Sequence, residues 1–265
     1  VLLLALVYGP TGKWLVDRWT LSIWHNAHGA LVLPVAFWLM WQELRPTWRS
    51  GPRSSPLGWL FVVPALLLHV LDQGMQTQLL SAISLVILLP GLSLLLLGVA
   101  RTRRIAFPLL FVALMLPIPL AVTERLHLVL RQIAAHACEV LVPALGIPVM
   151  RIETTLHTPD ARLLVADACS GFSTLYAAGA VALLTMYLSA SNVRRLLVGA
   201  LFAPIAIAVN VVRVALLVVL VYFQGTDVLA TSLHDLSGIV TFLIALPIIF
   251  WLGGPARPLE DQVAV

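Results

Sequence analysis

Residues 79–99, LLSAISLVILLPGLSLLLLGV, carry no charged side chain. At about 1.5 Å of helical rise per residue, such a run matches the ~30 Å hydrocarbon core of a bilayer. Comparable apolar runs occupy residues 23–41, 57–71, 105–122, 171–188, 196–222 and 237–252, and residues 1–8 form the tail of another. The chain is 60% hydrophobic and only 11% charged, with mean hydropathy +1.00, far from the composition of a soluble domain. The expected fold is all-α: a polytopic membrane protein with about eight transmembrane helices in a single integral-membrane domain, 1–265. The first helix is taken as truncated, because Val1 opens inside an apolar run with no initiator Met.

Charge placement then gives an orientation. The net charge of +4 and a pI near 9.6 would suggest nucleic-acid binding in a soluble chain. Here the basic residues sit in short turns, where they act as topology signals, and no nucleic-acid partner is expected. Simple alternation puts Arg45, Arg49, Arg53, Arg101, Arg103, Arg104, Arg194, Arg195 and Arg257 on one side, which the positive-inside rule makes cytoplasmic. The other side collects Asp17, Asp72, Glu124, Glu153, Asp160, Asp167, Asp227 and Asp235, with Lys13, Arg18, Arg125, Arg131, Arg151 and Arg162 as exceptions. Residues 9–20 and 72–78 read as polar turns on that side, and Trp38, Trp41 and Trp48 as an interfacial belt.

Residues 123–168 form an outer-face segment. Leu126, Val129, Leu130, Ile133, Ala137, Val140 and Leu141 make a helical stripe interrupted by Glu124, Arg125, Arg131, Gln132 and Glu139. That pattern predicts an amphipathic helix on the outer surface over 123–149. Alternation at Arg151, Glu153, Thr155 and His157, before a Thr-Pro-Asp turn, predicts a short hairpin.

Three residues carry the candidate chemistry. Cys169 lies in VADACSGFSTL, where a charged loop gives way to an apolar run. A helix N-terminus at that junction favours a thiolate, yet a small packing cysteine reads the same way. Arg213, in NVVRVALL, is charged inside a span, which marks a functional site by default. Asn210 precedes it by about one turn and is placed to hold the guanidinium. His234, in SLHDLSGIVTF, sits at the outer mouth of the last span. Three consecutive spans bring thiol, guanidinium and imidazole toward the outer half of the membrane: nucleophile, oxyanion stabiliser and proton carrier.

In order and spacing these stretches resemble the exosortase/archaeosortase membrane transpeptidases, from about residue 79 to residue 252. LPIPL at 116–120 and GIPV at 146–149 share the resemblance, whereas the earlier spans match only in hydropathy. The resemblance implies membrane-anchored protein substrates with a C-terminal sorting signal: a short Pro-containing motif, a transmembrane helix and a basic tail. By that analogy Cys169 forms the acyl-enzyme, Arg213 stabilises the oxyanion and His234 protonates the leaving amine. It also implies a multi-pass protein of the bacterial inner membrane, its site facing the periplasm and membrane lipid. Asp167, Asn210, Ser170 and Gly171 are supporting residues; Asp167 stands where the family more often has Glu.

Other candidates are weaker. His25, His28 and His69 lack a carboxylate or thiol spaced to complete a metal site, so no metal and no cofactor are expected. His127, His136 and His157 lie on the outer segment and could border the cleft, though ordinary surface residues are the favoured reading; Cys138 reads as packing. Two cysteines are too few for a disulfide framework, though one bridge is formally open. Two other functions compete: a transporter using Arg213 for an anionic solute, and a non-catalytic envelope polysaccharide assembly factor. The absence of an inverted repeat weighs against the transporter.

Overall fold

The computed structural model describes residues 2–20, 28–48, 51, 54–159, 161–166, 169–227 and 232–254, excepting the side chains of residues 2, 5, 120 and 232–235. The chain divides between Pro117 and Ile118 into two compact units.

The first unit is helical: α1 (Leu2–Thr20), α2 (Gly29–Leu44), α3 (Trp59–Met75), α4 (Leu79–Arg104) and the short α5 (Ala106–Phe111). Residues 9–20, expected as a polar turn, continue α1 through Pro10. Tyr8, Thr11 and Leu15 face inward at helical spacing while Lys13 and Asp17 stay exposed, so an amphipathic helix accommodates the charges. The expected turn at 72–78 is likewise shortened, because α3 runs to Met75. Asp72 is fully buried, and its carboxylate accepts the Thr77 hydroxyl and the Ser81 N–H (3.2 Å) at the start of α4. Tyr8 binds Ser84 at 2.8 Å and lies over the His69 ring, with centroids 4.4 Å apart. A Cβ on Gly91 of α4 would come within 2.9 Å of Phe61 and Val62 of α3, so glycine allows this close crossing.

The expected span at 105–122 is not one helix. After α5 a 3₁₀ turn ends at Met115, and Leu116 is extended (φ −72°, ψ 132°). Pro117 and Pro119 explain the break: a residue before proline avoids the helical region, and proline has no N–H to donate.

The second unit contains α6 (Leu120–Leu141), β1 (Met150–Ile152), β2 (Thr155–His157), β3 (Arg162–Leu164), α7 (Phe172–Leu188), α8 (Asn192–Gln224) and α9 (Ser232–Leu252). The anticipated hairpin gains a third strand, giving an antiparallel sheet β1-β2-β3 with Arg151 opposite Leu156 and Leu156 opposite Leu163. Leu156 and Leu163 turn inward, and Thr158 closes the second turn by accepting the Ala161 N–H at 3.1 Å.

In α6 the buried face is not the large apolar stripe. Leu126, Val129, Ile133, Val140 and Leu141 are exposed, whereas Thr123, His127, Leu130, Ala134, Cys138 and Val142 are buried. Small and polar residues pack inward together with Leu130 and Val142, while most of the large aliphatic residues face out, the arrangement favoured where lipid covers the exterior. Arg151 Nε donates to Glu139 Oε2 at 3.0 Å, tying β1 to α6. Cys138, Leu156, Leu163, Val165, Cys169, Val214 and Val218 share one core, so α6, the sheet, the Cys169 turn and α8 form one packed body.

At the opposite end of α7, the Ser189 hydroxyl donates to the Gly253 carbonyl at 2.9 Å. Arg195 Nη2 and Nε donate to the Ser189 carbonyl at 2.9 and 3.2 Å. One of the basic residues read as topology signals thus also fastens the α7–α8 turn.

Among the described residues, four stretches are long and apolar enough to cross a membrane: Pro56–Met75, Leu79–Arg104, Ala121–Leu145 and Asn192–Gln224. Ala106–Met115, Phe172–Leu188 and Leu236–Leu252 are shorter apolar helices. Ala121–Leu145 therefore has the length and composition of a span, although the sequence pattern favours a surface helix.

Candidate active site

In the second unit Cys169, Ser170 and Gly171 lie on the turn before α7, Asn210 and Arg213 on α8, and His234 on α9. Cys169 follows β3 and precedes α7. Its N–H donates to the Ala166 carbonyl at 2.9 Å, and its own carbonyl accepts Asn210 Nδ2 of α8 at 3.1 Å. Next in the chain, the Ser170 hydroxyl oxygen accepts the Phe172 N–H at 3.2 Å, satisfying one of the donors left open at the start of α7.

Gly171 takes φ +79°, and a Cβ there would lie 2.5 Å from Asn210 Cγ. Only glycine meets both demands, the left-handed backbone and the close approach of α8. Asn210, expected to steady Arg213, is instead directed at the Cys169 peptide; its Oδ1 is buried with no hydrogen-bond partner among the described residues.

Arg213, one turn further along α8, is buried, and its Nε donates to Ser237 Oγ of α9 at 2.9 Å. The guanidinium also faces Gly238, where a Cβ would be 3.4 Å from Nη2. Beside it, α8 and α9 border an apolar cavity of about 220 Å³ lined by Val212, Leu216, Leu220, Val240 and Ile244, with Arg213 and Ser237 as its polar part.

Electrostatics at Cys169 differ from the sequence expectation. The thiol is only 8% exposed, and burial pushes its pKa up, while the charge of Arg213 pulls it back down. The Gly171 cap stands between Cys169 and the first turn of α7, so the thiol is not at the helix terminus proper. Loss of hydration outweighs the nearby cation.

His234 falls on α9, three residues before Ser237, but its side chain lies outside the described residues, as do Asp167 and His25. Cys138 is fully buried with its thiol toward the Val211 carbonyl at 4.0 Å, and both cysteines are free. His69 is engaged by Tyr8 and Gln73, and His136 pairs with Glu139 at 3.4 Å on the surface.

His127 departs from the sequence reading. Of the two readings open for it, a surface residue or one bordering the cleft, the surface one fails: it is 4% exposed, with Nδ1 2.9 Å from Ser170 Oγ and its ring 4.5 Å from that of Phe172. The signal was present in the sequence as a second stripe, Thr123, His127, Leu130, Ala134 and Cys138, masked by the larger aliphatic one.

No curated protein and no solved structure matches this chain. The family model for transmembrane exosortase (Exosortase_EpsH) matches residues 20–251, which include all of α7 and α8 and almost all of α9, with the Cys169 turn and Arg213. With that match covering most of its 265 residues, the chain belongs to the transmembrane exosortase family, a family of polytopic membrane proteins.

Proposed function

We propose that this protein is a membrane-embedded cysteine transpeptidase that cleaves a C-terminal sorting signal through an acyl-enzyme on Cys169. Family membership supports a membrane transpeptidase-type function with protein substrates. The observation that carries the finer reading is the Cys169 thiol, held at its backbone by Asn210 and lying within the field of Arg213.

In the proposed reaction His234 takes the thiol proton, and the sulfur attacks the scissile carbonyl. Arg213 donates hydrogen bonds to the oxyanion that develops, inside an apolar site where such donors act most strongly. As the C–N bond breaks, His234 returns the proton to the leaving amine, leaving a Cys169 thioester. An incoming amine or other acceptor nucleophile then displaces sulfur, which recovers its proton. His234 lies three residues before Ser237 on α9, and Ser237 accepts the Arg213 Nε–H at 2.9 Å.

The apolar cavity beside Arg213 is of a size to take an apolar side chain from a substrate's transmembrane helix, whose scissile motif would then lie toward the Cys169 turn. The proposed setting is the bacterial inner membrane with the site facing the periplasm, as the charge bias of the turns suggests. The deciding experiment follows conversion of a precursor bearing a Pro-containing motif, a transmembrane helix and a basic tail. Cys169→Ala should abolish conversion at equal enzyme abundance while Cys138→Ala leaves it intact. Normal conversion by Cys169→Ala would put the transporter or assembly reading first.

A further inference from the structure

We propose that His127 is a positioning residue for Cys169, acting through Ser170; this rests on Cys169 being the nucleophile.

Three attachments hold the chain around Cys169. The Cys169 carbonyl is held by Asn210 of α8 at 3.1 Å, and the Cys169 N–H by Ala166 at 2.9 Å. The third is a side chain: Ser170 Oγ lies 2.9 Å from His127 Nδ1 of α6 and 3.2 Å from the Phe172 nitrogen that donates to it. A serine hydroxyl has one proton and two lone pairs. With one lone pair taken by Phe172 N–H, either tautomer of His127 supplies a second partner. Its Nδ1 accepts the hydroxyl proton, or Nδ1–H donates to the second lone pair. Both arrangements fix the Ser170 rotamer and the direction in which the chain enters α7.

Burial makes this pair more than a surface tie. His127 is 4% and Ser170 2% exposed, and the imidazole is also packed against the Phe172 ring, tilted by 36°. An apolar residue would join α6 to α7 with no polar atoms to satisfy. What a buried histidine–serine pair adds is direction. The backbone at 169–171 sets where the thiol stands relative to Arg213, and displacement of about 1 Å at a reacting centre can reduce a rate about 100-fold.

The test is a double-mutant cycle in precursor conversion, with kcat and KM measured separately on the full-length enzyme in detergent. The probe is the same anchored precursor. His127→Leu is expected to lower kcat by about 10- to 100-fold with KM changed less than about twofold, because substrate binding does not use the pair. His127→Asn, whose amide reaches the position of Nδ1, should recover most of the loss, and His127→Gln, which reaches toward Nε2, should not. Ser170→Ala should match His127→Leu, and the double variant should be no worse than either.

Normal turnover by His127→Leu, or losses that multiply in the double variant, would overturn the inference. If His127→Leu does not accumulate, the comparison of His127→Asn with His127→Gln decides: equal kcat values overturn the role, and recovery by Asn alone supports it. Cys169→Ala separates the two levels. Conversion by that variant removes the cysteine mechanism itself, whereas its inactivity beside a normal His127→Leu removes only the positioning role.

Discussion

The side-chain amide of Asn210 donates to the backbone carbonyl of Cys169 across 3.1 Å, joining the middle of α8 to the turn that presents the thiol. Asn210→Ala leaves that carbonyl without its donor in a buried place, at about 1–3 kcal/mol. Precursor conversion should fall by about 10- to 100-fold at equal abundance. Asn210→Asp should be worse, since a carboxylate presents only acceptors to the carbonyl and adds a buried charge. Equal rates for wild type and Asn210→Asp would show that the contact does not hold the site.

Gly171→Ala should destabilise the protein more than any other glycine-to-alanine change in α7 or at its cap. It adds left-handed strain of about 1–3 kcal/mol to a 2.5 Å overlap with Asn210 Cγ. Gly179→Ala is the comparison: its Cβ would meet Phe202 at an ordinary 3.6 Å, and a helix-interior alanine gains up to about 1 kcal/mol over glycine. Thermal unfolding of the detergent-purified variants should show Tm lowered for Gly171→Ala and unchanged or raised for Gly179→Ala.

Arg213→Lys should fail although the charge is kept. Lysine cannot bond Ser237 while presenting a fork of donors to a substrate oxyanion, and it loses its proton more readily in an apolar site. The expected loss is about 2.7–4 kcal/mol of transition-state stabilisation, two to three decades in kcat. His234→Ala should be severe but less complete, because water transfers a proton poorly in its place. Retention of full kcat by Arg213→Lys would remove the oxyanion role.

Thiol labelling gives a pH prediction. Burial raises the Cys169 pKa and Arg213 lowers it, so the folded thiol titrates above free cysteine and becomes reactive as pH rises. In a Cys138→Ala background, maleimide labelling of Cys169 should increase with pH, with its inflection above that of free cysteine. Arg213→Gln removes the lowering contribution and should move the inflection higher still. A downward move would mean that Arg213 does not act on the thiol.

Topology can be read with single cysteines in a Cys138→Ala, Cys169→Ala background. A cysteine at Gly51 or at Arg103 should resist an impermeant maleimide in intact cells, and one at Glu153 should label. Outside labelling at Gly51 would reverse the proposed orientation.

The apolar runs, the order of Cys169, Arg213 and His234, and the strand alternation near Arg151 were legible in the sequence because each is a local pattern. Hydrophobic length fixes a membrane class, and a charge inside a span marks a site whatever surrounds it. Tertiary structure decided what local pattern leaves open. Leu116 to Pro119 broke an apparent span because proline geometry overrides hydropathy. The face of α6 that packs is mostly small and polar, with Leu130 among it, while Leu126, Val129, Ile133, Val140 and Leu141 face outward. Asn210 could reach Arg213 or the Cys169 peptide along the same face of α8, and only the approach of Gly171 chose between them. His127 shares a helical stripe with other inward residues, but its partner Ser170 is 43 residues away, and only the packing of α6 against the Cys169 turn brings the two together.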